Sequence, residues 1–180
     1  MDEVHVGDLA EILTALITAV GIFLAYFELR RNTRIQRAQF LLETTERYFG
    51  ESEARRLFYD IDYNSFKLQF VNGTPSTVQR GEEDPKPFLG SDEERWLDSL
   101  LYTFDVIGRM VELKSLNVRE ADIFAFQAKR VLGNHYVKAY VDWVNEERVK
   151  ENIRIPAHQA AYRLVSRFDK RQDRSQVEYA

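Results

Sequence analysis

Seven residues near the N-terminus have a spacing with chemical content. Glu11, Thr14, Thr18, Gly21, Ala25, Glu28 and Asn32 follow one another at intervals of 3, 4, 3, 4, 3 and 4. At about 100° per residue they fall within a sector of about 100° on one helix. Every member is small or polar, while Ile12, Leu13, Leu16, Val20, Phe23, Leu24 and Phe27 take the remaining surface. In lipid, small side chains let two backbones approach and hydroxyls bond across the gap, so the stripe predicts a helix–helix interface. The intervals also make a heptad seam suited to left-handed bundling of several copies. A single-span chain has only other chains to meet, and the expected partner is a second copy. In a symmetric bundle Glu11 and Glu28 would form acidic rings of the kind that line cation pores. The plainer alternative is a monomeric anchor whose small residues are incidental.

A second grouping is aromatic and basic. Phe124, Phe126, Lys129, Arg130, His135, Tyr136, Lys138, Tyr140 and Trp143 lie close together, with Arg163, Arg167, Lys170, Arg171 and Arg174 further on. Helical phase sends most of these rings to a core. The surplus, at Lys129, Arg130, His135, Tyr136 and Tyr140, has the stacking and charge to hold a nucleotide or a short single strand as a regulatory ligand. Other chemistry is absent from the sequence. There is no phosphate-binding loop, dinucleotide fingerprint, nucleophile elbow or paired-histidine zinc motif. His5, His135 and His158 are scattered without metal-ligand spacing. Asp60, Asp62 and Asn64 imitate the start of a calcium loop, but Ser65 stands where its glycine belongs and Val71 where its last carboxylate belongs. With no Cys in the chain, thiol chemistry and disulfides are excluded. No enzyme, cofactor or metal site is expected, and a net charge of −4 makes no global case for nucleic acid.

The element that positions the seam is the apolar run itself. From Ile12 to Phe27 there is no charge and no Pro. As a helix this stretch covers roughly 24 Å, and Leu9, Ala10 and Leu29 extend it towards the ~30 Å of a hydrocarbon core. Residues 1–29 carry five acids and no Lys or Arg, whereas residues 30–37 carry four Arg and no acid. That asymmetry predicts a span over 9–29, with residues 1–8 outside and everything after Arg30 in the cytoplasm, in a bacterial inner membrane. An acidic leader does not suit a cleaved signal peptide. The alternative is a soluble domain with residues 9–29 as its core helix.

Beyond the span, Ile35, Ala38, Leu41, Leu42, Thr45 and Phe49 recur at helical spacing, predicting one continuous helix through a 30–50 juxtamembrane segment to Gly50. Ser52 would cap a second helix through Ala54, Leu57, Phe58 and Ile61, running on unevenly to Phe66 and Phe70. Residues 72–91 hold three of the four prolines and read as a loop. Ser91 with Glu94 opens a strongly striped helix through Trp96, Leu97, Leu100, Leu101, Phe104, Ile107 and Val111. Asn117 with Glu120 opens another, with Ile123, Phe124, Ala128, Val131 and Leu132, interrupted at Gly133-Asn134. A further run follows through Tyr136, Val137, Tyr140, Val141 and Val144. Pro156 would start the last helix, and residues 169–180 would be a frayed tail. The predicted class is all-α, with a cytosolic helical domain over 51–168.

The stretch Phe27-Glu28-Leu29-Arg30-Arg31-Asn32-Thr33-Arg34, following a single N-terminal span and leading into a long helix and an aromatic-rich helical domain, resembles a broad group of bacterial membrane-anchored proteins. Some proteins of this layout, the DNA-gated channels of Hailong type among them, are membrane effectors of anti-phage systems. The resemblance implies such a role here and supplies no site residues. A passive membrane-tethered interaction module has the same architecture.

Overall fold

The computed structural model describes residues 6–50, 53–63, 65–77 and 85–178. His5, the cap expected at Ser52, Asn64 and the middle of the 72–91 stretch lie outside them. The described fold is all-α with one small sheet. The chain divides into two compact units, Met1–Thr44 and Thr45–Ala180.

The first unit is formed by a long helix, α1 (Val6–Phe49), as expected of a stretch whose only glycines are Gly7 and Gly21 and which lacks proline. It ends before Gly50, whose N–H donates to the Glu46 carbonyl at 3.0 Å. A side chain at Gly50 would collide with that same carbonyl.

The second unit begins with α2 (Glu53–Asp62), which buries Ala54, Leu57, Phe58 and Ile61. The helix does not continue to Phe70. Leu68–Val71 is β1 and Thr74–Thr77 is β2, paired antiparallel with Leu68 opposite Thr77. Lys86–Pro87 adds a short β3 beside β2. The expected loop at 72–91 is thus partly a hairpin, and the reason is local. Asn72 and Gly73 both take positive φ, 53° and 78°, as a two-residue hairpin turn requires, and the asparagine-glycine pair is its commonest sequence. Trp143 staples the turn by donating its ring N–H to the Gly73 carbonyl at 2.9 Å. Behind the sheet, Phe88 is fully buried between Phe66 and Tyr140.

Helix α3 (Asp92–Glu112) is the centre of the core. Ser91 accepts the Glu94 N–H, and Glu94 reaches back to the Gly90 N–H at 2.5 Å. Leu97, Leu100, Leu101, Phe104, Ile107 and Val111 are buried as the stripe predicts, but Trp96 is 37 % exposed and lies off that face. Asn117 and Glu120 form a complete capping box on α4 (Val118–Ala121). That helix stops after one turn. A 3-10 turn, Asp122–Phe124, leads into α5 (Ala125–Gly133), which leaves Ile123 exposed and Phe124 buried. Asn134 accepts the Tyr136 and Val137 N–H groups and starts α6 (His135–Lys150).

Helix α7 (Gln159–Glu178) corrects two expectations. It begins after Pro156, because its first amides are capped from elsewhere. Asp105 on α3 accepts the Ala160 N–H at 2.9 Å and the Ala161 N–H at 3.3 Å. It also continues past Asp169 instead of fraying. Ion pairs of Asp169 with Lys129 and Arg171 with Asp122, both at 2.7 Å, hold that end to neighbouring helices. The two helices approach so closely at Gly108 that a Cβ there would overlap the Ala160 carbonyl. Against α3, helix α7 buries Ala160, Ala161, Leu164 and Phe168.

Candidate functional site

The seam residues sit on α1, and this helix is long and apolar enough to cross a membrane. None of the apolar stretch is buried: Ile17 is 65 % exposed and Leu24 61 %. A shallow groove on this helix is lined by Glu11, Thr14 and Thr18 of the seam together with Ala15, Ala19 and Ile22. At its floor the Thr18 hydroxyl donates to the Thr14 carbonyl at 2.8 Å. This satisfies the donor inside the helix and leaves the oxygen lone pairs as acceptors. One turn on, a Cβ built at Gly21 meets nothing within 4 Å. Ala25, Glu28 and Asn32 continue the same exposed face. Near the Arg cluster, Phe27 meets Phe23 and Tyr26 edge-on at 4.6 and 6.0 Å.

The five residues of the second grouping are not brought together. Lys129 and Arg130 line a shallow recess with Asp122, Ala125, Phe126 and Gln172. Both are held by carboxylates, Lys129 by Asp169 at 2.7 Å and Arg130 by Asp62 at 2.9 Å. The Arg130 guanidinium also lies 5.4 Å from the centre of the Phe126 ring. The His135 and Tyr136 rings lie 3.7 Å apart, tilted by 39°, and neither lines the recess. Tyr140 is a core residue, 2 % exposed. Its ring contacts Phe88 and Trp143, and its hydroxyl donates towards Asp98 at 2.9 Å and Glu94 at 3.2 Å. Phe126, which lines the recess, is 55 % exposed and stands in for those rings.

Sequence reading missed the polar network around Tyr140: Glu94 appears there only as a cap, and Asp98 is not singled out. Burial, reinforced by Asp98 and Glu94, pushes the Tyr140 hydroxyl well above the usual phenol range. Burial also raises the Asp98 carboxyl, against the Tyr140 hydrogen bond. Nearby His158 takes a left-handed φ of 55°. Burial lowers its pKa, partly opposed by Asp105, Asp98 and a backbone hydrogen bond to Leu101, while Arg148 lowers it further.

This depression makes a prediction for the helical domain. The unfolded imidazole takes up a proton near its ordinary value of about 6.5, whereas the folded one resists until lower pH. Acidification through 6.5 therefore favours the unfolded form. The melting temperature should fall between pH 7 and pH 5.5. His158→Asn, which tolerates positive φ and does not titrate, should flatten that slope. An unchanged slope in the variant would locate the acid sensitivity elsewhere.

Among the described residues no cluster of His, Asp or Glu is arranged to hold a metal ion. No protein family, curated protein or solved structure that was compared matches the chain.

Proposed function

We propose that this chain is an oligomeric membrane effector of bacterial anti-phage defence. Residues 9–29 cross the inner membrane with the N-terminus outside, and the helical domain lies in the cytoplasm. Copies meet through Glu11, Thr14, Thr18, Gly21, Ala25, Glu28 and Asn32. The observation that carries this reading is an exposed, span-length apolar helix on which Glu11, Thr14 and Thr18 of the seam line one shallow groove. The bundle opens as a cation-preferring path guarded by Glu28, and the helical domain holds it shut until a ligand binds. The recess of Lys129 and Arg130 beside Phe126 is the place for that ligand, a nucleotide or short single strand whose phosphates would displace Asp169 and Asp62.

Two measurements test the reading. In the first, Gly21→Leu should lower the detergent-solubilised mass, because it separates two backbones that the glycine allows to touch. It meets nothing within its own chain, so the fold of each copy should be unchanged. Val20→Leu, off the seam, should keep the parent mass. Equal masses for all three proteins would remove the seam as the interface. In the second, planar bilayers with the assembled protein should carry current, with ion preference altered by Glu28→Lys and conduction blocked by Thr18→Leu. An assembled oligomer that stays silent, even after residues 92–180 are deleted, is a tethered interaction module.

A further inference from the structure

The seam does not stop at the membrane. Continuing its alternation of three and four from Asn32 reaches Ile35, Gln39, Leu42 and Glu46, all on the unbroken α1. In heptad terms Thr14, Gly21, Glu28, Ile35 and Leu42 occupy one core position. Thr18, Ala25, Asn32, Gln39 and Glu46 occupy the other. Ile35 and Leu42 are 46 % and 60 % exposed, and Gln39 and Glu46 are exposed as well.

We infer that residues 32–42 form a parallel, in-register coiled coil with the same stretch of a second copy, ending before Glu46, where two carboxylates would meet in the core. The inference rests on the membrane-bundle reading above and extends it into water. Lipid cannot be the cover at these positions. Ile35 and Leu42 lie about 9 and 20 Å along the helix beyond Leu29, past the Arg30, Arg31 and Arg34 cluster. A second copy fits on three counts. Inserted with the same topology, it runs parallel and presents the same stripe at the same height. The pairs flanking the core of a parallel coil, Arg31 with Gln36 and Ala38 with Glu43, bring no like charges together. Asn32 and Gln39 can each hydrogen-bond to their own counterparts, a device that fixes register at some cost in stability. A strict seven-residue repeat on one side also winds the helices left-handed, the hand in which the small-residue seam packs.

The absence of cysteine makes the test direct. Single cysteines are placed at Ile35, Leu42, Ala25 and, off the seam, Arg34, and membranes are treated with copper–phenanthroline in air. Ile35→Cys and Leu42→Cys should give disulfide-linked dimers on denaturing gels several-fold more abundant than Arg34→Cys. All these positions are exposed in the single chain, so none of the variants should impair folding. If Ala25→Cys cross-links while Ile35→Cys and Leu42→Cys stay at the Arg34→Cys level, the coiled coil is overturned and the membrane bundle stands. If none exceeds Arg34→Cys, both fall.

Discussion

Gly108→Val should abolish the cooperative unfolding transition of the helical domain at ambient temperature. The position looks unremarkable in sequence, one glycine in a long helix. In the structure its missing side chain is the gap through which α3 and α7 touch, since an added Cβ would overlap the carbonyl oxygen and carbon of Ala160. Those are backbone atoms and cannot swing aside. Nor can α7 slide locally, because the Ala160 N–H is already bonded to Asp105. The helices must separate along their length, unpacking Leu164 and Phe168, both 1 % exposed. Overpacking a tight core ordinarily costs about 1–3 kcal/mol, and uncovering two large apolar side chains adds about 1.5–3 kcal/mol each. The sum rivals the roughly 5–15 kcal/mol that holds a domain together. Gly133→Ala is the control: a Cβ there meets nothing within 4 Å, and the variant should melt at or slightly above the parent temperature. A Gly108→Val protein melting within a few degrees of the parent would refute the close approach.

Asp105→Ala should be nearly as damaging, and for an electrostatic reason. This carboxylate is 6 % exposed and serves two helices. One oxygen accepts the Ala160 and Ala161 N–H groups at the positive end of α7, and the other binds the Arg109 Nε at 2.8 Å. Truncation leaves the buried Ala160 N–H without an acceptor, at about 1–3 kcal/mol, while the Ala161 N–H keeps the His158 carbonyl at 3.1 Å, and it removes a favourable charge at a helix N-terminus. A loss of about 2–4 kcal/mol is expected from the orphaned amide and the missing charge at the helix end. Asp105→Asn keeps an acceptor for the amides while losing the charge, so it should fall between parent and Asp105→Ala. Urea midpoints followed by circular dichroism on detergent-solubilised protein give the order. If Asp105→Asn proves as unstable as Asp105→Ala, the charge matters more than the cap. Combined with Gly108→Val the effects should not add, because both act on the first turn of α7.

What could be read from sequence was whatever repeats locally. The stripes of α1 and α3 and the cap at Asn117 depend on residues a few positions apart, and they were legible. The residues of the seam share one exposed face of α1. The hairpin was not legible, because β1 offers only Leu68 and Phe70 on one face, too few for an alternation to declare itself. The start of α7 was hidden for a different reason. Its cap comes from Asp105, on another helix, so Pro156 was given a place that the backbone passes by. The same non-local partnership broke up the second grouping. Tyr140 carried the right chemistry for a ligand, but Asp98 and Glu94 across the helix interface had already taken its hydroxyl.

The pairing of α3 with α7 also sets an order in time. The face of α3 is complete once Glu112 has been synthesised, yet its cover ends only at Phe168. At 5–20 residues per second, translation leaves that apolar face waiting roughly 3 to 11 s. During this interval the nascent chain holds an unfinished, sticky helix whose apolar face has no cover. A chaperone that shields α3, or a pause that prolongs the wait, would then decide the yield of folded protein more than the stability of the finished domain does.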